Sequence, residues 1–332
     1  MGDPGGVGPE ISTLSSKYFI EKKNTLDTVI FGSSAHIEFV LKKIIKADLK
    51  INPIDLKSDL RDSYKTGMIN VIDCSTMDYG NIKYGTENPE YAQDVEFFIS
   101  KAVQYSLQEK ILGFATSPIN KDMMMKGGAA FPAHTEFLAH LTGAKEYAML
   151  FYSRRLITVL ATIHLPLRDV GHNITENSLE KIIKVSINSL QKDFNLINPK
   201  VAILGLNPHA GENGRIGRDE INIIIPVINK FKNNGFLVDG PFPSDSFYAK
   251  KFKEYDIVVS MYHDQGLIPF KLLSFNDGVN VTIGLPVIRT SPVHGTAYDI
   301  AGKNIANEKS MLSAIKLAYK LSKNRRKWKE KS

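Results

Sequence analysis

Short runs of apolar and β-branched residues recur along the chain at 28–31, 69–72, 111–114, 156–163, 201–206, 257–260 and 279–283. Each is too short for a helix of ordinary length. The stretches between them, 91–107 and 178–190 above all, place apolar residues at the three- and four-residue spacing of a helix face. Strand and helix patterns that alternate in this way predict βα units on a mainly parallel sheet. No internal repeat or long linker breaks the pattern. At 332 residues the chain exceeds what one small core organises, so two α/β/α lobes are expected.

Hydrophobic residues at 43% and charged residues at 23% belong to an ordinary globular protein and exclude wholesale disorder. Cys74 is the one cysteine and has no internal disulfide partner. No apolar run is long enough to span a bilayer, and the first residues lack the basic and apolar regions of a secretory signal. A soluble protein of the reducing cytoplasm is therefore expected, with no membrane partner.

Of the basic residues behind the net charge of +7, eight lie between Lys316 and Lys331. The excess is local and predicts a solvated basic helix end, without nucleic acid as a partner. The rival reading is a non-catalytic protein that binds nucleic acid through Lys323, Arg325, Arg326, Lys327 and Lys329. Deleting residues 324–332 then abolishes function, whereas an enzyme should be affected mildly.

Residues 2–10 form a glycine-rich stretch of the kind that turns a strand into a helix, and no strand pattern comes before it. We therefore expect a translation start upstream of Met1, which intact-mass measurement on the native protein tests. The spacing Gly2-x-x-Gly5-Gly6-x-Gly8 is not a GxGxxG fingerprint, and a tight turn accounts for its glycines.

Three apolar runs end in a histidine: His164 after 156–163, His209 shortly after 201–206, and His263 after 257–262. Ligands bind outside the carboxyl ends of parallel strands, so three imidazoles placed there can converge on one cation. Any one of them alone reads as a polar residue leaving a strand, since no local His-x-x-His spacing supports ligation. Neutral imidazoles suit Zn²⁺, Co²⁺ or Fe²⁺, and three protein ligands leave a position for substrate. Asp264 either orients a ligand or is a plain exposed acid. His36, His140, His172 and His294 lack the strand-end placement and read as ordinary surface, helix or loop histidines.

Two clusters carry donors suited to a phosphate: Pro132, Ala133, His134, Thr135 and Glu136, and then Lys271, Asn280 and Arg289. Each residue alone also fits a surface position, and Thr135 fits a helix N-cap before residues 136–141.

The stretch Val293-His294-Gly295-Thr296-Ala297-Tyr298-Asp299-Ile300-Ala301-Gly302-Lys303 resembles the adenosine-binding loop of isopropylmalate and isocitrate dehydrogenases. Six further motifs resemble the 4-hydroxythreonine-4-phosphate dehydrogenase family of vitamin B6 biosynthesis more closely. They are Gly2-Asp3-Pro4-Gly5-Gly6-Val7-Gly8-Pro9-Glu10, Thr116-Ser117-Pro118-Ile119-Asn120-Lys121, His134-Thr135-Glu136, Leu206-Asn207-Pro208-His209-Ala210-Gly211-Glu212, Gly240-Pro241-Phe242-Pro243-Ser244-Asp245 and Tyr262-His263-Asp264-Gln265-Gly266. The likeness runs from Gly2 to about Asn307.

The resemblance implies a fold like that of the isocitrate and isopropylmalate dehydrogenases. One lobe is residues 1–127 with 285–332; the other, residues 128–284, holds the metal and substrate residues. It implies one divalent metal per site (Zn, Co or Mg) on His164, His209 and His263. It also implies a phosphorylated amino-acid substrate on His134, Thr135, Lys271, Asn280 and Arg289. NAD or NADP is expected on His294, Gly295, Thr296, Ala297 and Asp299, and Asp264 and Lys121 are candidate catalytic bases. A homodimer whose active site takes ligands from both chains is implied as well. The activity implied is oxidation of 4-phosphooxy-L-threonine at carbon 3, then decarboxylation to 3-amino-2-oxopropyl phosphate, in pyridoxal 5′-phosphate biosynthesis. The alternative within the same architecture is a paralogue acting on another phosphorylated hydroxy acid, such as a phosphothreonate, or on an aromatic dihydrodiol acid.

Overall fold

The structure is a computed structural model and describes residues 1–23, 26–80, 82–131 and 134–331. The chain divides into two compact units: Met1–Gly143 with Pro286–Tyr319, and Ala144–Leu285 with Lys320–Ser332. The first unit holds β1 (Val29–Gly32), β2 (Ile51–Asp55), β3 (Ile69–Asp73) and β4 (Phe114–Ala115). The second holds β5 (Ala148–Tyr152), β6 (Ile157–Leu160), β7 (Val201–Leu204), β8 (Val238–Phe242), β9 (Ile257–Ser260) and β10 (Val279–Ile283). The chain then returns to the first unit as β11 (Arg289–Pro292).

In the first unit β1, β3 and β2 pair in parallel in that order, and β4 pairs in parallel with β11. The central strand, β3, is buried from Ile69 to Ile72, the continuous burial expected of a parallel strand covered on both faces. The Ala92–Leu107 helix packs on β1 with Val95, Phe98, Ile99, Ala102 and Val103 buried. A cavity of about 680 Å³ is lined by residues of both β1 and β4, among them Ile30 and Ala115, together with Phe98, Met311 and Ile315. Met1 also lines it. Its ammonium donates to the Phe31 carbonyl at 2.8 Å, and burial pushes its pKa down to about 6.

In the second unit the strand order is β10-β5-β6-β9-β7-β8. β6, β9, β7 and β8 are mutually parallel, whereas β5 runs antiparallel to both β10 and β6. The Glu176–Lys192 helix opens on a capping box in which Thr175 and Ser178 satisfy one another's backbone N–H groups. Its buried Leu179, Ile183, Ile187 and Leu190 form one apolar stripe, each residue contributing about 1.5–3 kcal/mol on burial.

The apolar runs correspond to β1, β3, β4, β6, β7, β9 and β10, with the run at 111–114 becoming strand only at Phe114. Four strands escape that reading. β2 carries Pro53, β8 carries Gly240 and Pro241, and β5 pairs in the opposite direction to its neighbours. β11 reads Arg-Thr-Ser-Pro, a buried strand without an apolar run.

The unit boundaries also differ from the expected lobes. Residues 128–143 stay with the first unit, where the His134–Thr142 helix packs on the Ala92–Leu107 helix. Residues 320–332 belong to the second because Arg325 pairs there with Asp193 through two hydrogen bonds of 2.6 and 2.8 Å and donates to the Leu285 carbonyl. The basic tail is therefore not wholly solvated, since Arg325 is buried. His36 is a helix histidine, within Ser34–Phe39; it is 1% exposed, its ring stacks on Tyr84, and burial pushes its pKa down to about 4. The helix expected over residues 136–141 begins two residues earlier, at His134, so Thr135 lies inside it and is buried. Pro132 and Ala133 lie outside the described residues.

Candidate active site

β6, β9 and β7 lie side by side and run in parallel, so their carboxyl ends emerge at one edge of the sheet. His164, His263 and His209 follow these three strands in that same order. The rings of His164 and His263 face each other with centroids 6.0 Å apart. They line a cleft of about 330 Å³ with Leu165, Tyr262 and Asp264. His209 stands exposed on the loop after β7 and does not line that cleft. Among the described residues, no three His, Cys, Asp or Glu side chains of one chain close on a common point.

The His209 loop is held in an uncommon backbone. His209, Ala210, Gly211, Glu212, Asn213 and Gly214 all have positive φ, from 44° at Glu212 to 88° at Gly214. The left-handed region costs a non-glycine residue about 1–2 kcal/mol, so a run of this kind persists only under external constraint. Glu220 supplies that constraint. Its buried carboxylate accepts the Asn207 backbone N–H at 2.8 Å and the Asn207 side-chain amide at 3.0 Å. A Cβ on Gly211 would lie 2.5 Å from Glu220 Oε2, so the clamp closes only over glycine.

His263 opens the His263–Ser274 helix. Its Nδ1 donates to Asp264 Oδ1 at 2.7 Å, leaving Nε2 as the ring nitrogen for a cation. Gln265 ties this corner to the His209 loop: its Oε1 accepts the Met261 N–H at 2.6 Å, and its Nε2 donates to the Gly205 carbonyl at 2.7 Å. Two facing imidazoles, one oriented by a carboxylate, are donor types that a borderline divalent cation accepts, while His209 does not close with them within one chain.

In the first unit Arg289 is 2% exposed on β11. Its Nε and Nη2 donate to Thr116 Oγ1 at 3.0 and 2.6 Å, and burial pushes its pKa down to about 9. His134 Nε2 is buried without a partner among the described residues. Burial, aided by the Arg289 charge, holds its pKa well below the usual histidine range. A buried guanidinium beside a neutral imidazole, with the Thr135 residue buried next in the chain, favours an anion. Of the other predicted substrate residues, Lys271 is exposed near the end of the His263–Ser274 helix, and Asn280 Oδ1 on β10 is buried without a partner among the described residues.

The predicted cofactor residues fall in the loop between β11 and the Lys309–Lys329 helix. His294 Nδ1 lies 3.0 Å from the Gly295 carbonyl, and its Nε2 is buried without a partner among the described residues. Ala297 takes a positive φ of 45°, and Asp299 points to solvent. Both candidate bases, Lys121 and Asp264, are exposed, and Asp264 already engages His263. Sequence reasoning missed Glu220 and the tasks of Thr116 and Gln265. The last two stand inside motifs noted above, but Glu220 lies in a polar stretch that marks it in no way.

The chain is similar to known proteins along nearly its whole length. The chain is 39% identical over 328 residues to a 4-hydroxythreonine-4-phosphate dehydrogenase of Sulfurihydrogenibium sp. (strain YO3AOP1), covering 98% of each chain. It is 36% identical to a D-threonate 4-phosphate dehydrogenase of Pectobacterium atrosepticum, covering 97% of this chain and 98% of that one. The crystal structure of a 4-hydroxythreonine-4-phosphate dehydrogenase from Klebsiella pneumoniae superposes with a TM-score of 0.86 at 36% identity, over 97% of this chain and 96% of that one. Residues 24–318 match the family described as pyridoxal phosphate biosynthetic protein PdxA, and the chain belongs to that family.

Proposed function

We propose that the chain is a metal-dependent dehydrogenase that uses NAD or NADP to oxidise 4-phosphooxy-L-threonine at carbon 3, with loss of carbon dioxide to give 3-amino-2-oxopropyl phosphate. The observation that carries this reading is the placement of His164, His263 and His209 at the carboxyl ends of three adjacent parallel strands. When bound, the divalent cation (Zn, Co or Mg) supplies Lewis acidity at the substrate hydroxyl, and the nicotinamide supplies the hydride acceptor.

The three histidines hold the cation as neutral imidazoles, with Asp264 fixing the His263 tautomer. Arg289, His134 and Thr135 bind the phosphate, and Lys271 and Asn280 are further substrate donors. The loop carrying His294, Gly295, Thr296, Ala297 and Asp299 binds the dinucleotide. Lys121 or Asp264 takes the hydroxyl proton as hydride leaves carbon 3. The ketone so formed is β to the carboxylate. The bond to the carboxylate then breaks, its electron pair passes into the ketone as an enolate, and protonation at carbon 2 completes the product. Positioning and electrostatics carry the rate. The enzyme works as a cytoplasmic homodimer, each site completed by the second chain.

The test is metal analysis with steady-state kinetics on the protein and on His209→Ala. Loss of bound metal and of turnover supports the reading, and unchanged metal content removes its centre. The likeness to the Pectobacterium D-threonate 4-phosphate dehydrogenase supplies the competing substrate. A higher kcat/KM on D-threonate 4-phosphate would replace 4-phosphooxy-L-threonine and keep the site.

A further inference from the structure

The glycine-rich stretch at the start of the chain does more than turn. Glu10 is fully buried in the first turn of the Gly8–Glu21 helix. Its carboxylate accepts the backbone N–H groups of Gly302 and Asn304, the latter at 3.2 Å. Asp3, also fully buried, accepts the Tyr298 hydroxyl with one oxygen and the Gly5 N–H with the other, at 2.9 Å. Between these two anchors the Val7 N–H donates to the Thr296 carbonyl at 2.9 Å. Gly6 permits that approach, since a Cβ there would sit 2.9 Å from the same carbonyl oxygen. Val7 and Ile11 pack with Ala301 and Met311, and Ala297 and Ile300 close over them.

Apart from the Asp3–Gly5 hydrogen bond and the packing on Met311, these contacts fall on the loop between β11 and the Lys309–Lys329 helix, proposed above to hold the dinucleotide. That loop takes positive φ at Ala297 (45°), Gly302 (76°) and Asn304 (55°). Its own hydrogen bonds are short-range turns, from Ile300 N to Ala297 O and from Lys303 N to Ile300 O. A backbone of this kind keeps one shape only when neighbouring structure imposes it. Two buried carboxylates that accept its N–H and O–H groups impose it from beneath. Solvent does not reach either acid, so a ligand on the open face of the loop does not touch them.

We propose that Glu10 and Asp3 are positioning residues for the dinucleotide: they set its affinity by fixing the 296–304 loop, without contacting it. The proposal rests on the dinucleotide role given to that loop above. Three variants test it in the full chain: Glu10→Gln, which puts an amide against the Gly302 and Asn304 N–H groups, Asp3→Asn, and Tyr298→Phe. Amide hydrogen exchange across 296–304 is read without dinucleotide, and KM for NAD is read beside KM for the phosphorylated substrate. Exchange should quicken and KM for NAD should rise about tenfold, the equivalent of one charge-assisted hydrogen bond, while kcat and the substrate KM hold. Should Glu10→Gln fail to fold, Tyr298→Phe carries the same test by deleting one hydroxyl.

Unchanged exchange overturns the anchoring. Asp299→Ala, on the exposed side of the loop, tests the underlying reading separately. If it raises KM for NAD while the anchor variants do not, the proposal falls alone. If neither it nor the anchor variants move KM for NAD although exchange quickens, the loop is not the dinucleotide site, and the proposal falls with that assignment. A parallel loss of kcat and rise of both KM values marks a merely structural role and also overturns it.

Discussion

His263 Nδ1 stands 2.7 Å from Asp264 Oδ1, a hydrogen bond between neighbours in sequence at the start of a helix. The carboxylate can only accept, so the imidazole carries its proton on Nδ1 and presents Nε2. A carboxylate behind a ligating histidine raises its basicity and fixes its angle. Asp264→Ala is expected to weaken metal binding by about 10–100-fold, measured by titration of the metal-free protein with Co²⁺ or Zn²⁺. Unchanged metal affinity with collapsed kcat would instead identify Asp264 as the base.

Arg289 is buried and aims two N–H groups at Thr116 Oγ1. Its proposed task, holding the phosphate, separates two substrates. Arg289→Met should lower kcat/KM for the phosphorylated substrate by about 10–150-fold, the loss of a charged hydrogen bond of about 1.5–3 kcal/mol. The unphosphorylated amino acid should be turned over at nearly its original kcat/KM. Arg289→Lys should not rescue, because an ammonium lacks the planar fork.

His36 makes stability depend on pH. Folding lowers its pKa from 6.5 to about 4, chiefly by burial. Below pH 6.5 the unfolded chain therefore binds a proton that the native chain refuses. This contribution is complete above about pH 6.5 and is lost as the pH falls towards 4, amounting to about 3 kcal/mol. Urea unfolding of wild type and His36→Phe at pH 7.5 and pH 5 checks it: the difference between the two pH values should shrink in the variant. An equal pH response in both proteins would rule His36 out as the source.

Arg325 and Asp193 form a buried bidentate pair in the second unit. Arg325→Met strands the carboxylate and should destabilise that unit by about 3–5 kcal/mol, while Arg325→Met with Asp193→Leu should recover most of the loss. Denaturant midpoints for the two variants give the answer. Deleting residues 324–332 removes this pair, so the mild effect expected of that deletion for an enzyme does not follow from the structure. Neutralising the exposed Lys323, Arg326, Lys327 and Lys329 is the cleaner test for nucleic-acid binding.

Much of the architecture is legible without coordinates, because a strand and its exit are local events. The apolar runs before His164, His209 and His263 announce β6, β7 and β9, and the apolar spacing over 178–190 announces the Glu176–Lys192 helix. Local signals carry no information on which strands become neighbours. Only the folded sheet sets β9 between β6 and β7, which makes three separate strand ends one edge. Only the fold brings the Glu220 carboxylate under the His209 loop, or buries the polar run Arg-Thr-Ser-Pro as β11 beside β4. Asp3 and Glu10 reach far along the chain, holding Tyr298 and Gly302 across 295 and 292 residues. Contacts of that separation follow from the burial of a whole unit, which no periodicity within a short window records.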